Sequence, residues 1–357
     1  MKPFIHHHIV GIGRSGTTLL QSILNVHQAV WAGPENYFIP FFYYAWKDKT
    51  EFTAKDLRKL IRFHRAFEVL QPHPGFRFDE EKFLSLQSTY THFNALIEGT
   101  YRAFIDENAP EKEVSCFINK NPIHSLYATE LHALNRGSKF VWMVRDYRAN
   151  VHSRKKSVHL KSDNVYENAL RWNAFEATLS RFAQRHPEII LIVTYETLVR
   201  LPEETLLTIT RFLGLSPLQD FQQALRPYQK TYTEEIDAHY STANRMKKRF
   251  GDLAQPIHAG AIDQWQQGLT RKEVEICEVL SGKAGVRYGY HTRAKVPSAR
   301  RVIIQFNAMF FRIKLGITHG KDAFFNSLPI GFKVAYFAWW VKRIDTKRKR
   351  HVGSQAT

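Results

Sequence analysis

The sequence of 357 residues is poor in cysteine and contains no long hydrophobic run and no internal repeat. Its two cysteines, Cys116 and Cys277, are far apart, which argues against a disulfide framework and fits a reducing compartment. The N-terminal segment has no apolar signal core and no small-residue cleavage site. We therefore expect a cytoplasmic protein, and its length allows one large domain or two ordinary domains.

Negative charge is nearly absent from the C-terminal part of the chain, where most of the net charge of +18 is concentrated. Residues 293–351 contain 14 Lys or Arg but only two acidic residues, Asp322 and Asp345, so this segment carries +12 of the total. Cations alternate there with aromatic side chains, and the uncharged runs of about ten residues are shorter than the roughly 20 that span a bilayer. The pattern indicates a basic amphipathic segment on a membrane surface. A helical extension packed on the rest of the protein is the alternative.

Four short apolar runs predict buried strands of a parallel sheet. These runs are Phe4–Val10, Val114–Ile118, Lys139–Val144 and Ile189–Val193. Segments with helical spacing lie between them, so the sequence predicts an α/β fold with a central parallel sheet and flanking helices. Residues 53–108 indicate an insertion of two or more amphipathic helices, broken near residues 71–75. This insertion either serves packing alone or covers an acceptor pocket.

The stretch GIGRSGTTLL, residues 11–20, matches parts of two phosphate-binding patterns. Its three glycines match the G-x-G-x-x-G of dinucleotide folds, and its first and third glycines with Thr17 and Thr18 match a triphosphatase loop that lacks its lysine. The first pattern also requires a second strand that ends in an acid, and the second requires a metal-binding Asp. A glycine-rich turn at a helix start still offers N–H groups to a phosphate, here with Arg14 and Ser15 as further donors.

A second phosphate motif is predicted in VWMVRDYRANVHSRKKS, residues 141–157. Arg145 follows the apolar strand directly, and Ser153 comes eight residues later at the start of a helical segment. A strand-end arginine and a helix serine can bind a separate phosphate with charge-assisted hydrogen bonds. The alternative is an ordinary strand–turn–helix unit with solvated charges.

Taken together, these motifs resemble the sulfotransferase family, whose donor is 3′-phosphoadenosine 5′-phosphosulfate (PAPS). GRSGTTLL resembles the family's 5′-phosphosulfate loop, and RDYRANVHS resembles its 3′-phosphate motif with Tyr147 in the place of a usual proline. INKNP at 118–122, VTYETLV at 193–199 and AIDQWQQGLT at 261–270 resemble three further family segments. The spacing is most similar to the protein-tyrosine and Golgi-type branch and its bacterial relatives, over roughly residues 4–290.

The resemblance implies an enzyme that transfers a sulfuryl group from PAPS to an acceptor hydroxyl and needs no metal ion. Glu35 occupies the place of a catalytic Glu in the tyrosine branch and is the candidate general base. Lys120 is the candidate that stabilises the leaving phosphate. Solvated loop positions are the alternatives for both side chains. The candidate donor-binding residues are Arg14, Ser15, Gly16, Thr17, Thr18, Arg145, Ser153 and Tyr195. The basic segment MKKRFGD, residues 246–252, is a further candidate donor loop.

The expected organisation is a catalytic domain over residues 1–292 and a basic, aromatic-rich extension over residues 293–357. A membrane-facing extension favours a lipophilic acceptor such as a lipid, glycolipid or sterol, and places the protein peripherally at the inner membrane surface. A carbohydrate or small phenol is the alternative acceptor. The competing class is a nucleotide- or nucleic-acid-binding protein without transferase activity, and it is disfavoured because the sequence has no nucleic-acid-binding motif.

Overall fold

A parallel sheet of five strands forms the centre of the computed structural model. The structure describes residues 5–70, 77–157, 163–218, 221 and 257–353, without the side chains of 317–323 and 347–353. The strands are β1 (Ile5–Val10), β2 (Val30–Ala32), β3 (Cys116–Lys120), β4 (Phe140–Val144) and β5 (Ile190–Thr194). Their order is β2-β3-β1-β4-β5, and every pairing is parallel. The predicted α/β fold with a central parallel sheet is confirmed.

Strand β2 is the part of the sheet that the sequence does not predict, whereas the other four strands match the predicted runs within two residues. β2 contains only Val30–Ala32 and ends just before Gly33 and Pro34. Three apolar residues are too few to give a recognisable hydrophobic period. Pairing with β3 nevertheless fixes the strand at the edge of the sheet, and all three residues are buried.

Helices cover both faces of the sheet. They are α1 (Thr17–Leu24), α2 (Phe38–Trp46), α3 (Ala54–Leu70), α4 (Glu80–Ser85), α5 (Phe93–Asn108), α6 (Ala128–Leu134), α7 (Tyr147–Lys155), α8 (Val165–Arg185), α9 (Tyr195–Arg200), α10 (Pro202–Leu213), α11 (Trp265–Gly268), α12 (Arg271–Gly285), α13 (Ser298–Ser327) and α14 (Ile330–Gly353). Short 3-10 helices lie at Gln87–Thr89, Pro122–Tyr127, Pro187–Ile189, Ala259–Ala261 and Val286–Tyr288. Ile9 and Val10 of β1 belong to different hydrophobic clusters because successive strand side chains point to opposite faces. The core therefore has one layer on each face of the sheet.

The helices expected in residues 53–108 are present as α3, α4 and α5. The expected break at residues 71–75 lies outside the described residues. Phe63 of α3 packs on Phe41 of α2, with 4.2 Å between the ring centroids. The insertion therefore packs on the helix that follows the Glu35 loop, and its use as an acceptor cap stays a prediction.

The two C-terminal helices, α13 and α14, pack on the rest of the protein along one face. Ile304 and Ala308 of α13 are buried. Lys333 of α14 is also buried and donates from Nζ to the carbonyl oxygen of Phe41 over 2.8 Å. The structure thus contains the packed helical extension that the sequence allows as an alternative. Within the described ranges, no helix has both the length and the apolar composition needed to cross a bilayer.

Three consecutive histidines in β1 are buried in the protein interior. His6 and His8 lie beside His124, and the ring nitrogens of these three residues have no hydrogen-bond partner among the described residues. Burial lowers the pKa of His6 and of His124 to about 3. His7 points to the other face, where its Nδ1 accepts from the Lys139 backbone N–H over 3.0 Å. No group of three metal-ligating side chains that could hold an ion occurs in the described part of the chain.

Candidate active site

The phosphate loop connects the end of β1 to the start of α1. Gly16, which precedes α1, has φ of 85°, and a Cβ atom at this position would lie 2.6 Å from Cδ2 of Tyr195. A glycine is required because it tolerates this conformation and allows the ring to approach the loop. The first N–H groups of α1 have no acceptor within the helix, and the helix dipole adds positive potential at the same end. The loop therefore suits an anionic group beside Thr17 and Thr18.

Arg14 connects the phosphate loop to the predicted second phosphate motif. It is the one non-glycine residue with a positive φ, 76°, among the described residues. Its Nε donates to Ser153 Oγ over 3.0 Å, and its carbonyl oxygen accepts from Arg145 over 3.0 Å. A conformation that costs energy and is held by such contacts is typical of a functional loop. The structure thus brings three of the predicted donor-binding residues together.

Asn150 also supports the phosphate loop, and the sequence analysis does not find it. Its Nδ2 donates to the carbonyl oxygen of Gly13 over 3.1 Å and to Ser15 Oγ over 3.0 Å. The available signal is its spacing, because Asn150 precedes Ser153 by three residues on α7 and so lies on the same helix face. The loop at residues 246–252 lies outside the described residues.

Arg145 lies at the end of β4, buried between the phosphate loop and α9. One of its terminal nitrogens donates to Ala261 O over 2.7 Å, and its guanidinium lies 4.4 Å from the centre of the Tyr195 ring. Burial lowers the pKa of Arg145, while the neighbouring Tyr195 and Glu196 oppose that change. Its buried Nε has no hydrogen-bond partner among the described residues. A buried cationic donor without an acceptor fits a site that binds a phosphate oxygen.

Glu35 and Lys120 form an ion pair beside the phosphate loop. Lys120 Nζ lies 2.6 Å from Glu35 Oε1 and 3.2 Å from Thr18 Oγ1. The side chain of Lys120 is 2% exposed and that of Glu35 is 16% exposed, so neither is a solvated loop group. A carboxylate, an ammonium group and the loop hydroxyl therefore meet where β3 and β1 end.

Amide side chains hold the backbone around Glu35. Gln21 of α1 donates from Nε2 to the carbonyl oxygen of Gly33 over 2.6 Å. Asn121, which follows β3, donates from Nδ2 to the carbonyl oxygen of Asn36 over 2.7 Å. The sequence contains no pattern that identifies these contacts, because they join segments that only the folded sheet brings together. Glu35 is thus fixed from both sides.

A further cation, Arg154, lies close to the phosphate loop at Gly13. Arg154 of α7 is buried and donates from Nε to Asn168 Oδ1 over 2.9 Å. Burial, together with repulsion from Arg171 and Arg14, lowers the pKa of Arg154 to about 10. Arg154 therefore adds to Arg14 and Arg145 as a cation beside the loop, where it would favour an anionic ligand.

A comparison with known families agrees with this geometry. Residues 8–220, more than half of the chain, match the description "Sulfotransferase family". The matched segment includes the phosphate loop, Glu35, Lys120 and the second phosphate motif.

The curated relatives include protein-tyrosine sulfotransferases. The chain is 30% identical to protein-tyrosine sulfotransferase 2 of chicken (Gallus gallus) over 215 residues, which cover 58% of this chain and 50% of the chicken protein. It is 25% identical to human (Homo sapiens) protein-tyrosine sulfotransferase 1 over 312 residues, which cover 83% of this chain and 74% of the human protein. The aligned segment thus spans half the length of the chicken relative.

These relatives correct one expectation from the sequence. The prediction of a cytoplasmic protein at the inner membrane surface is wrong, since the relatives belong to the Golgi-type branch rather than to cytoplasmic enzymes. The prediction depended on a low cysteine content and on the lack of a signal-like segment. Neither feature determines the compartment in which a folded protein works.

A solved structure shares the fold. The sulfotransferase domain of the Synechococcus PCC 7002 olefin synthase matches with a TM-score of 0.52 at 17% identity, covering 83% of this chain and 98% of that domain. This likeness concerns the fold, and the match over residues 8–220 shows that the chain belongs to the sulfotransferase family.

Proposed function

We propose that the protein transfers the sulfuryl group of PAPS to an acceptor hydroxyl. The observation that carries this proposal is the contact of Lys120 with both Glu35 and Thr18. It places a carboxylate and a buried cation at the phosphate loop, where a donor sulfuryl group would react. PAPS supplies the activated sulfuryl group, and the protein supplies binding, proton removal and charge stabilisation.

Donor binding uses two cationic sites. The N-terminus of α1, with the hydroxyls of Thr17 and Thr18, would hold the phosphosulfate end. The unpartnered Nε of Arg145 and the hydroxyl of Ser153 would bind the 3′-phosphate. Arg14 contacts both Arg145 and Ser153, so it would couple the two sites.

Proton removal falls to Glu35. In the proposed reaction the acceptor oxygen forms a new bond to sulfur, and the bond between sulfur and the bridging phosphate oxygen breaks. The acceptor proton moves to the Glu35 carboxylate. Lys120 offsets the negative charge that develops on the bridging oxygen. Because Lys120 touches both Glu35 and Thr18, one cation connects the base to the donor loop.

The acceptor we propose is a lipophilic alcohol such as a lipid, glycolipid or sterol. Support comes from α13 and α14, which pack on α2 and carry exposed aromatic side chains. A protein tyrosine is the second candidate, because the curated relatives are protein-tyrosine sulfotransferases. A carbohydrate or a small phenol is a further outcome of the acceptor test.

Calorimetry with 3′-phosphoadenosine 5′-phosphate tests the donor proposal. Without divalent metal, we expect a dissociation constant in the micromolar range or lower. A micromolar constant corresponds to a binding free energy of about −8 kcal/mol. Comparable binding of NADH, or of ATP only with Mg²⁺, would exclude PAPS as the donor. Transfer of label from radioactive PAPS to a sterol, a glycolipid, a tyrosine peptide, a carbohydrate and a nitrophenol identifies the acceptor class.

A matched pair of lysine variants tests the mechanism. Lys120→Met should abolish label transfer to every acceptor. Lys112→Met is the control, because Lys112 is also partly buried but donates to the carbonyl oxygen of Val30, away from the phosphate loop. Equal rates of label transfer by the two variants would show that Lys120 has no part in the reaction.

A further inference from the structure

Helix α13 exposes an apolar face to solvent. Seven large apolar side chains on this helix are between 50% and 70% exposed: Val302, Ile303, Phe306, Met309, Phe310, Ile313 and Phe324. At 100° per residue they fall within an arc of about 120° on one side of the helix. A contiguous exposed apolar patch of this kind marks an interaction surface in soluble proteins.

Helix α14 exposes a second apolar face, made of aromatic residues. Phe332, Tyr336, Trp339 and Trp340 are between 38% and 57% exposed. The rings of Phe332 and Tyr336 lie 6.3 Å apart, and the Trp339 ring lies 5.8 Å from that of Tyr336. Trp and Tyr rings are enriched where proteins meet the interface of a bilayer, because each ring is apolar and carries one polar atom.

The opposite faces of both helices pack on the rest of the protein. The exposed apolar faces therefore belong to helices that are held in place by the fold. On α13, Phe311 stacks on Tyr166 of α8 with 5.4 Å between the ring centroids. On α14, Phe337 lies 4.9 Å from Phe63 of α3. Each helix therefore has two apolar faces, and the protein itself covers one of them.

Cations accompany the exposed faces. Arg301, Arg312 and Lys342 are exposed on these helices, and Arg343 lies 5.5 Å from the centre of the Trp339 ring. The segment from residue 293 onwards carries 14 of the basic residues and two acidic ones. This arrangement complements a surface that is apolar below and negatively charged above, which is the composition of an anionic bilayer.

We infer that the exposed faces of α13 and α14 together form a docking surface for an anionic lipid bilayer. The apolar side chains insert at the level of the headgroups, and the flanking cations contact lipid phosphates and carboxylates. A second copy of this chain fits less well, because it would place the same excess of positive charge on both sides of the contact.

Co-sedimentation of the full chain with vesicles tests this inference. We expect binding to vesicles of phosphatidylcholine with phosphatidylserine, weaker binding to phosphatidylcholine alone, and partial release at about 1 M salt, where the Debye length is about 3 Å. Phe306→Ser with Phe310→Ser should weaken the binding at least about tenfold, since each ring loses its burial in the bilayer.

The control is Leu201→Ser with Leu207→Ser, two exposed apolar residues outside these helices. It should bind vesicles like the unmodified chain, and both pairs should keep label transfer to a soluble acceptor. Lys342→Gln with Arg343→Gln should reduce binding to the anionic vesicles only. Two results would overturn the inference: absence of vesicle binding by the unmodified chain, or an equal loss of vesicle binding in both serine pairs. If vesicle binding is absent and light scattering shows a dimer that the phenylalanine pair dissociates, the surface binds a second copy of the chain instead.

Discussion

At the scale of single residues, the pairing of Glu35 with Lys120 limits what each can do. The two residues are 85 positions apart in sequence, yet Nζ and Oε1 are separated by 2.6 Å. The ion pair joins a carboxylate, the group that would accept the acceptor proton, to a cation that also contacts the phosphate loop. Contact with Thr18 also orients the ammonium group towards the phosphate loop.

Glu35→Gln should lower the turnover rate by about 100- to 10,000-fold, the usual contribution of a positioned acid–base group. Affinity for 3′-phosphoadenosine 5′-phosphate should change little. The loss should be smaller for nitrophenols, because their hydroxyl ionises without help. The control is Glu130→Gln, whose carboxylate accepts from the Tyr44 hydroxyl at the surface. If the variant keeps near-normal turnover rates that do not depend on the acidity of the acceptor, Glu35 is excluded as the base.

Arg145→Ala should weaken the binding of 3′-phosphoadenosine 5′-phosphate by about 1.5–3 kcal/mol, the value of hydrogen bonds to a charged group. The loss should nearly vanish for an analogue that lacks the 3′-phosphate, as measured by calorimetry. Arg145 also donates to the carbonyl oxygens of Arg14 and Ala261. If Arg145 acts mainly through these backbone contacts, the variant will bind 3′-phosphoadenosine 5′-phosphate and the analogue more weakly by the same free energy.

At the scale of elements, the sequence predicts those parts of the site that have a local pattern. Arg145 directly follows an apolar run, and Gly16 lies between a strand and a helix, so each can be located from its neighbours. Strand β2 has three residues and no such pattern, although it leads into the Glu35 loop. Asn150 and Gln21 could not be found, because their partners are defined only by the folded sheet.

Gly16→Ala tests the close approach of α9 to the phosphate loop. The new Cβ atom would lie 2.6 Å from the Tyr195 ring and would also occupy a left-handed conformation with φ of 85°. The matched control is Gly214→Ala, which has φ of 76° but no atom within 4 Å of the added carbon. Gly214→Ala should cost about 1–2 kcal/mol of unfolding free energy from backbone strain.

Gly16→Ala should cost more than its control in denaturant unfolding, and only Gly16→Ala should weaken the binding of 3′-phosphoadenosine 5′-phosphate. Equal stability losses with unchanged affinity in both variants would show that the Tyr195 ring moves away freely.

At the scale of the whole molecule, the order of the strands assembles the site. Parallel strands end at the same edge of a sheet, so the segments after β1, β3, β4 and β5 meet there although they span nearly 200 residues of sequence. Ligands of open α/β sheets bind at this edge. The sequence predicts the sheet and its phosphate motifs, but compartment depends on features outside the fold, which explains the wrong localisation.

The buried histidines should make the stability of the protein sensitive to acid. Burial lowers the pKa of His6 and His124 to about 3 and that of His7 to about 4, whereas an unfolded histidine has a pKa near 6.5. Between these values the unfolded chain binds protons that the folded chain does not. The free energy of unfolding should therefore decrease as pH falls below 6.5, by up to about 1.4 kcal/mol per pH unit for each such histidine.

Urea unfolding at a series of pH values between 7.5 and 5 measures this slope. His6→Phe should show a shallower slope than the unmodified chain, whatever its stability at neutral pH. Parallel curves for the two proteins would mean that His6 does not titrate on unfolding in this range.

The bond from Lys333 to the carbonyl oxygen of Phe41 has a consequence for acceptor choice. Phe41 belongs to α2, which begins three residues after Glu35, and Lys333 belongs to α14, one of the two helices of the proposed docking surface. A chain that docked on lipid through that helix would hold Glu35, the proposed base, at a constant height above the headgroups. If the proposed docking and the proposed role of Glu35 both hold, we expect the enzyme to select hydroxyls by their distance from the lipid plane. Its rate should then follow the surface density of the acceptor rather than its bulk concentration.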